Sequence, residues 1–255
     1  MIEPRPSGRV ERYLAQRLTR GPIHFTLIDP DKSPGARAGA IARGAVALGS
    51  DAVLLGGSTG ISRSGMGAAA SAVKAAVDVP VIIFPQGPES LAREADAVLF
   101  MSLLNSRNLD LVIRAHAKAA PAVRAMGLEP IPLGYLVIAP GMRVGEVGQV
   151  DPVDRTDEAA AIGYALAAEY LGMRYVYLEA GSGAPAPVPP SMVRAVRSVL
   201  SIPVVVGGGI RSGPDARTLL DAGANVLVTG TITEEEGLGV GFRGILEEVR
   251  RARGG

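Results

Sequence analysis

Short apolar runs and Ala-rich helical stretches alternate along nearly the whole chain, and the joints from helix to strand repeat. Gly49-Ser50-Asp51-Ala52-Val53-Leu54, Ala95-Asp96-Ala97-Val98-Leu99 and Gly223-Ala224-Asn225-Val226-Leu227 are variants of one joint. The repeating unit is therefore a strand followed by a helix. Its strands are apolar almost without interruption, as strands covered on both faces of a parallel sheet are. Strands are predicted at 23–28, 52–55, 81–84, 97–101, 131–138, 175–178, 204–206 and 226–228. Helices are predicted at 36–48, 64–77, 109–124, 157–171, 191–200, 214–222 and 242–253, several opened by Ser, Asp or Pro, as helix starts favour. Eight such strands in 255 residues predict an α/β chain closed into a (β/α)8 TIM barrel, a single domain over 1–255. The alternative, a doubly wound open sheet, would place a glycine-rich phosphate loop after the first strand. This chain has Asp29-Pro30-Asp31-Lys32 there.

Two departures from a plain barrel are predicted. An extra amphipathic helix at about 8–20, with Val10, Tyr13, Leu14 and Leu18 on one face, precedes the barrel at about 23–253. The interval 85–95 contains Pro85, Gly87 and Pro88 and is too cramped for a full crossover helix, so the helix after the third strand should be lost or shortened.

Composition removes several function classes. With 26 Lys+Arg against 25 Asp+Glu there is no basic excess, so a broad nucleic-acid surface is not expected. Cysteine is absent, which excludes disulfides, thiolate metal sites and cysteine nucleophiles. The two histidines, His24 and His116, are too far apart for a helical zinc pair; the first reads as a satisfied core residue and the second as a surface or packing residue. No apolar run approaches the roughly 20 residues of a transmembrane helix, and residues 1–8 lack the apolar core of a secretory signal, so a cytoplasmic protein is expected.

In a barrel, chemistry gathers where the carboxyl ends of the strands meet the loops. Strand seven ends in Gly207-Gly208-Gly209-Ile210-Arg211 and strand eight in Thr229-Gly230-Thr231. Glycines there either relieve crowding or let backbone N–H groups approach a phosphate, and two such loops on adjacent strands favour the phosphate cradle. Strand six ends in Tyr177-Leu178-Glu179-Ala180-Gly181-Ser182-Gly183. Glu179 either accepts a proton from a substrate hydroxyl or braces the following turn. Strands one and two end in Asp29 and Gly56-Gly57-Ser58, a carboxylate and a hydroxyl suited to a hard cation such as Mg2+.

Together with Ser102-Leu103-Leu104-Asn105-Ser106, these motifs, in order from about His24 to Thr231, resemble the archaeal geranylgeranylglyceryl phosphate synthases, which are related to the bacterial heptaprenylglyceryl phosphate synthases. The resemblance implies a prenyltransferase that joins sn-glycerol 1-phosphate to geranylgeranyl diphosphate and releases diphosphate. That reaction is the first ether-forming step of archaeal phospholipid synthesis. It implies Mg2+ held by Asp29 and Ser58. The residues implied to surround glycerol phosphate are Tyr177, Leu178, Glu179, Ala180, Gly181, Ser182, Gly183, Gly208, Gly209, Gly230 and Thr231, with Glu179 as the proton acceptor. The prenyl chain needs an apolar trough, for which Phe100, Leu103, Leu104, Tyr135, Val137 and Ile138 are candidates, and Lys32 and Arg107 could meet the diphosphate. A homo-oligomer, dimer or larger, is expected, with no transmembrane segment and with transient membrane-surface contact open to it. The rivals are a synthase with another chain length, a phosphate-binding barrel isomerase or synthase, and a barrel that binds phosphoglycerol without turnover.

Overall fold

The computed structural model describes residues 8–57 and 63–254. Its strands are β1 (Ile23–Ile28), β2 (Ala52–Leu55), β3 (Val81–Ile83), β4 (Ala97–Leu103), β5 (Glu129–Val137), β6 (Tyr175–Glu179), β7 (Val204–Gly207) and β8 (Val226–Thr229). They are parallel and close in sequence order, β8 pairing with β1 through Ile23↔Val226 and Phe25↔Val228. The helices are α1 (Arg9–Leu18), α2 (Ala36–Leu48), α3 (Arg63–Lys74), α4 (Ala115–Met126), α5 (Met142–Val147), α6 (Glu158–Tyr170), α7 (Pro190–Val199), α8 (Gly213–Asp221), α9 (Thr231–Glu235) and α10 (Val240–Ala252). The (β/α)8 barrel expected from the repeated joint is the fold of the chain.

Between β3 and β4 there is only a single 3-10 turn, Pro88–Ser90, so the crossover helix is missing where the prolines leave no room for it. Two short helices, α5 and α9, were not foreseen: they follow β5 and β8 directly and lie at the carboxyl end of the barrel. A π-helical turn, Asp110–Arg114, leads into α4.

Inside the barrel, Phe25, Leu54, Ile82, Leu99, Ile131, Tyr177, Val205 and Val228 form one apolar cluster with Val10 and Leu14 of α1. The extra helix therefore plugs the amino-terminal mouth with its apolar face. Gly8, at its start, has no side chain to cap it; the Glu129 carboxylate instead accepts the N–H groups of Val10 at 2.7 Å and Glu11 at 2.8 Å. Two further clusters lie between the strands and the outer helices. His24 faces outward and is a satisfied core residue, as read from the sequence: its ring meets Ser50 Oγ at 3.1 Å and Thr229 Oγ1 at 2.9 Å, and burial pushes its pKa down to about 3.

Candidate active site

The carboxyl-terminal mouth opens into a cavity of about 240 Å³ that is continuous with open solvent. One end is polar and is built from Asp29, Lys32, Glu179, Ser182, Gly230 and Thr231. The other runs out through the gap left by the missing helix, between Pro88 and Leu91 on one side and Leu111, Ala115 and Ala119 on the other, over Val98 and Phe100 of β4. A cavity of this shape takes an anionic head and a long apolar tail.

Glu179 sits where the two ends meet. As the last residue of β6 it is only 6% exposed. Gly181 N–H donates to its Oε1 at 2.7 Å, Tyr135 O–H donates to its Oε2 at 3.0 Å, and the Tyr177 hydroxyl is also hydrogen-bonded to it. Burial raises its pKa above the ordinary carboxylate value, and the hydrogen bonds only partly offset that. The phenols of Tyr135 and Tyr177 are pushed well above 10, first by burial and then by the carboxylate, so both remain protonated donors. Tyr135 entered the sequence reading as a trough residue. Its hydrogen bond to Glu179 was missed, although parallel pairing sets Tyr135 beside Tyr177 and thus two hydroxyls at one level.

The glycine loops close the polar end. Gly208 has φ +79, and a Cβ there would fall 2.7 Å from the Gly181 nitrogen, so only glycine lets the β7 loop lie against the β6 loop. Ser182 and Thr231 meet hydroxyl to hydroxyl at 2.8 Å, joining the β6 and β8 loops. Ser182, Gly230 and Thr231 line the cavity, whereas Gly208 lies behind them against Gly181 and Glu179, and Gly209 against Ala186 and Pro187. Leu178 and Ala180 point away into the outer core and support these loops without facing the cavity.

Asp29 is 9% exposed at the end of β1, and its Oδ1 accepts Asp31 N–H at 3.0 Å. Burial is the largest influence on it and raises its pKa. A Cβ on Gly57 would come within 2.5 Å of the Asp29 carboxyl carbon, so the β2 loop passes directly over the carboxylate. A partly desolvated oxygen donor at a cavity wall fits a hard cation, whose charge would offset the burial cost. Ser58, its expected companion, lies outside the described residues. Among the described residues no three acidic or imidazole side chains cluster as metal ligands, so a cation at Asp29 would depend on water and substrate oxygens for most of its shell.

Other candidates divide. Phe100, Leu103 and Tyr135 line the cavity, whereas Leu104 and Ile138 pack into the outer core and Val137 into the barrel interior. Lys32 lines it, but Arg107 does not and pairs with Asp151 at 3.3 Å. His116, read as a surface or packing residue, lines the apolar arm, with Nε2 2.7 Å from the Met101 carbonyl and its ring edge-on to Phe100. The α4 wall was missed because an Ala-rich helix shows no distinguishing pattern where its small residues face a ligand.

The sequence profile of the PcrB family matches residues 15–249. The geranylgeranylglyceryl phosphate synthase of Thermococcus gammatolerans is 47% identical over 242 residues, covering 95% of this chain and 96% of that protein. The enzyme of the same name from Pyrococcus horikoshii is 48% identical, covering 89% and 90%. Among solved structures, (S)-3-O-geranylgeranylglyceryl phosphate synthase from Thermoplasma acidophilum in complex with sn-glycerol-1-phosphate superposes with a TM-score of 0.90 at 45% identity, covering 93% and 97%. Thiamine phosphate pyrophosphorylase from Pyrococcus furiosus, at 18% identity and a TM-score of 0.58, shares the fold alone.

Proposed function

The chain belongs to the PcrB family, and on that footing we propose that it is a prenyltransferase joining the C3 hydroxyl of sn-glycerol 1-phosphate to geranylgeranyl diphosphate. The observation that carries this reading is the position of Glu179, buried between a glycine-lined polar rim and an open apolar arm. An isomerase or synthase acting on a small phosphorylated metabolite would need the rim but not the arm.

In this reading the substrate phosphate rests on the backbone of Gly230 and Thr231, with the Ser182 hydroxyl beside it and Gly208 behind them. The glycerol lies along Tyr177 to Gly183 and turns its C3 hydroxyl to Glu179. The prenyl chain occupies the arm and brings its allylic carbon to the same point. The C3 oxygen forms the ether bond as the bond from the allylic carbon to the diphosphate oxygen breaks, and the diphosphate leaves with that electron pair. Glu179 takes the hydroxyl proton and later returns it to water. Tyr135 and Tyr177 stay protonated and hold the carboxylate in place. A Mg2+ ion held at Asp29, with Ser58 as its second protein ligand, would supply charge stabilisation for the leaving diphosphate.

The same reading places the protein in the cytoplasm as a homo-oligomer acting at the first ether-forming step of archaeal lipid synthesis. Among the described residues no helix is long and apolar enough to cross a membrane. The exposed side chains of Leu109, Ile113 and Val147, beside the apolar arm, are where transient contact with a lipid surface would occur.

The test is product formation with Mg2+ and geranylgeranyl diphosphate, offering sn-glycerol 1-phosphate and its 3-phosphate enantiomer in parallel. Turnover favouring the 1-phosphate is expected. A folded protein that binds glycerol phosphate but turns over no prenyl diphosphate would sink the reading in favour of a non-catalytic or different phosphate-binding barrel. A shorter or longer preferred prenyl chain would correct only the chain length.

A further inference from the structure

Lys32 and Glu234 reach each other across the closing seam of the barrel. Lys32 lies in the loop after β1 and Glu234 on α9 after β8; these strands are neighbours, and Nζ stands 2.6 Å from Oε2. Both line the main cavity beside Asp29, and the same three residues border a smaller cavity, so the lysine has open space around it. The glutamate is held more firmly. Ile232 and Thr233 of α9 are buried, and Thr233 bonds back to the Gly230 carbonyl through both its N–H at 2.9 Å and its hydroxyl at 2.6 Å.

The lysine side chain is 60% exposed and that of the glutamate 22%. An ion pair as exposed as this holds weakly and can be traded for a stronger one. The pair is also surrounded by negative charge: Asp29 and Glu235 as well as Glu234 act on Lys32, and Asp31 lies next to it. Glu235 is itself occupied by Arg211 at 2.8 Å. An anion arriving beside Asp29 therefore meets Lys32, a cation that already has a carboxylate partner, with Arg143 on the wall of the main cavity and Arg37 on that of the smaller one.

We propose that Glu234 is an internal competitor for Lys32. The lysine leaves Glu234 for the diphosphate when the prenyl substrate binds, and Glu234 reclaims it as the leaving diphosphate departs. Glu234 is then a positioning residue: it touches no reacting atom, but it sets how tightly diphosphate is held and keeps the product from being retained. This inference rests on the proposed reaction, in which diphosphate is released beside Asp29.

The test is calorimetric titration of inorganic diphosphate, with Mg2+ present, into the wild-type protein and three variants. Glu234→Gln should bind diphosphate about tenfold more tightly, because the competitor for a charge-assisted bond is gone. Lys32→Met should bind it about tenfold more weakly, and in that background Glu234→Gln should change affinity by less than about threefold. In steady-state assays Glu234→Gln should lower KM for the prenyl diphosphate and leave KM for glycerol phosphate unmoved. Unchanged or weaker diphosphate binding by Glu234→Gln overturns the proposal, as does equal tightening in both backgrounds, which would mean a general field effect. If the folded wild-type protein binds no diphosphate at millimolar concentration, the proposed reaction at this mouth fails first, and this inference with it.

Discussion

Three donors on one carboxylate would ordinarily draw its pKa down, yet at Glu179 burial outweighs Gly181, Tyr135 and Tyr177 and holds the carboxyl above its usual value. On the proposed mechanism that shift favours proton acceptance, since a base whose pKa approaches the working pH binds the proton it takes. Glu179→Gln should retain the shape of the side chain, with its amide oxygen accepting from Gly181 N–H and its NH2 donating to the phenol oxygens, and lower kcat by about 100-fold or more, with KM for glycerol phosphate changed little. Unchanged kcat would reassign Glu179 to bracing the turn at Gly181. Tyr135→Phe offers a pH test. Its hydrogen bond favours the ionised form of Glu179, so its loss raises that pKa further. The base must be ionised to work, so the acid limb of the kcat profile should move to higher pH in the variant, while the plateau above it persists.

The seam between β8 and β1 closes the barrel, and His24 stitches it. From β1 its two ring nitrogens reach Ser50 at the entry to β2 and Thr229 at the end of β8, and its ring packs edge-on against Phe242 of α10. Its pKa is held near 3, against 6.5 for an unburied histidine. The unfolded chain therefore takes up a proton below about pH 6.5 that the folded chain refuses, so this contribution to stability is complete above 6.5 and is lost on acidification towards 3. The slope is about 1.4 kcal/mol per pH unit. Urea unfolding at pH 7.5 and 5.5 should show that loss in the wild-type protein, and His24→Gln, though less stable at neutral pH, should lack this part of the slope. The barrel was legible from the sequence because its repeated joints and unbroken apolar strands are local signals, and the missing helix was legible from Pro85 and Pro88. The short helices α5 and α9 were not, because Met142–Val147 and Thr231–Glu235 are too brief to display a period. The polar wall of the cavity was legible for the same reason as the strands: Asp29, Glu179 and Gly230 sit at strand ends, whereas Gly208 and Gly209, read from the same signal, do not line it. The apolar arm was only half legible. Whether Leu104 or Leu103 faces the cavity depends on how β4 passes into its loop, and a wall of alanines on α4 gives no sign of which face a ligand meets.

At the scale of the whole molecule the two mouths of the barrel divide the work, chemistry at the carboxyl end and anchorage at the amino end, as barrels of this kind do. The anchor is Asp51, wholly buried at the foot of β2. Arg17 of α1 donates to its Oδ1 from Nε at 2.8 Å and from a terminal nitrogen at 2.6 Å, while Arg253, just past α10, and the His24 N–H share its Oδ2. One carboxylate thus ties the first helix and the last to the same strand end. The arginines are less committed than the aspartate: their side chains are 34% and 20% exposed and can reach water if released. The two ways of breaking the clamp should therefore differ. Arg17→Met with Arg253→Met strands a charge that cannot reach solvent and should cost about 3 kcal/mol or more, lowering Tm by about 10 °C. Asp51→Asn leaves two cations that can turn outward and should cost less. Because Asp51 lies at the mouth opposite Glu179, kcat measured well below either Tm should be the same in both variants as in the wild-type protein. Differential scanning calorimetry with steady-state assays at 25 °C checks both points. A double-arginine variant as stable as Asp51→Asn would mean that the carboxylate finds other partners, and that the plug helix is held without the clamp, by the apolar contacts of Val10 and Leu14 and by Glu129 and Arg174.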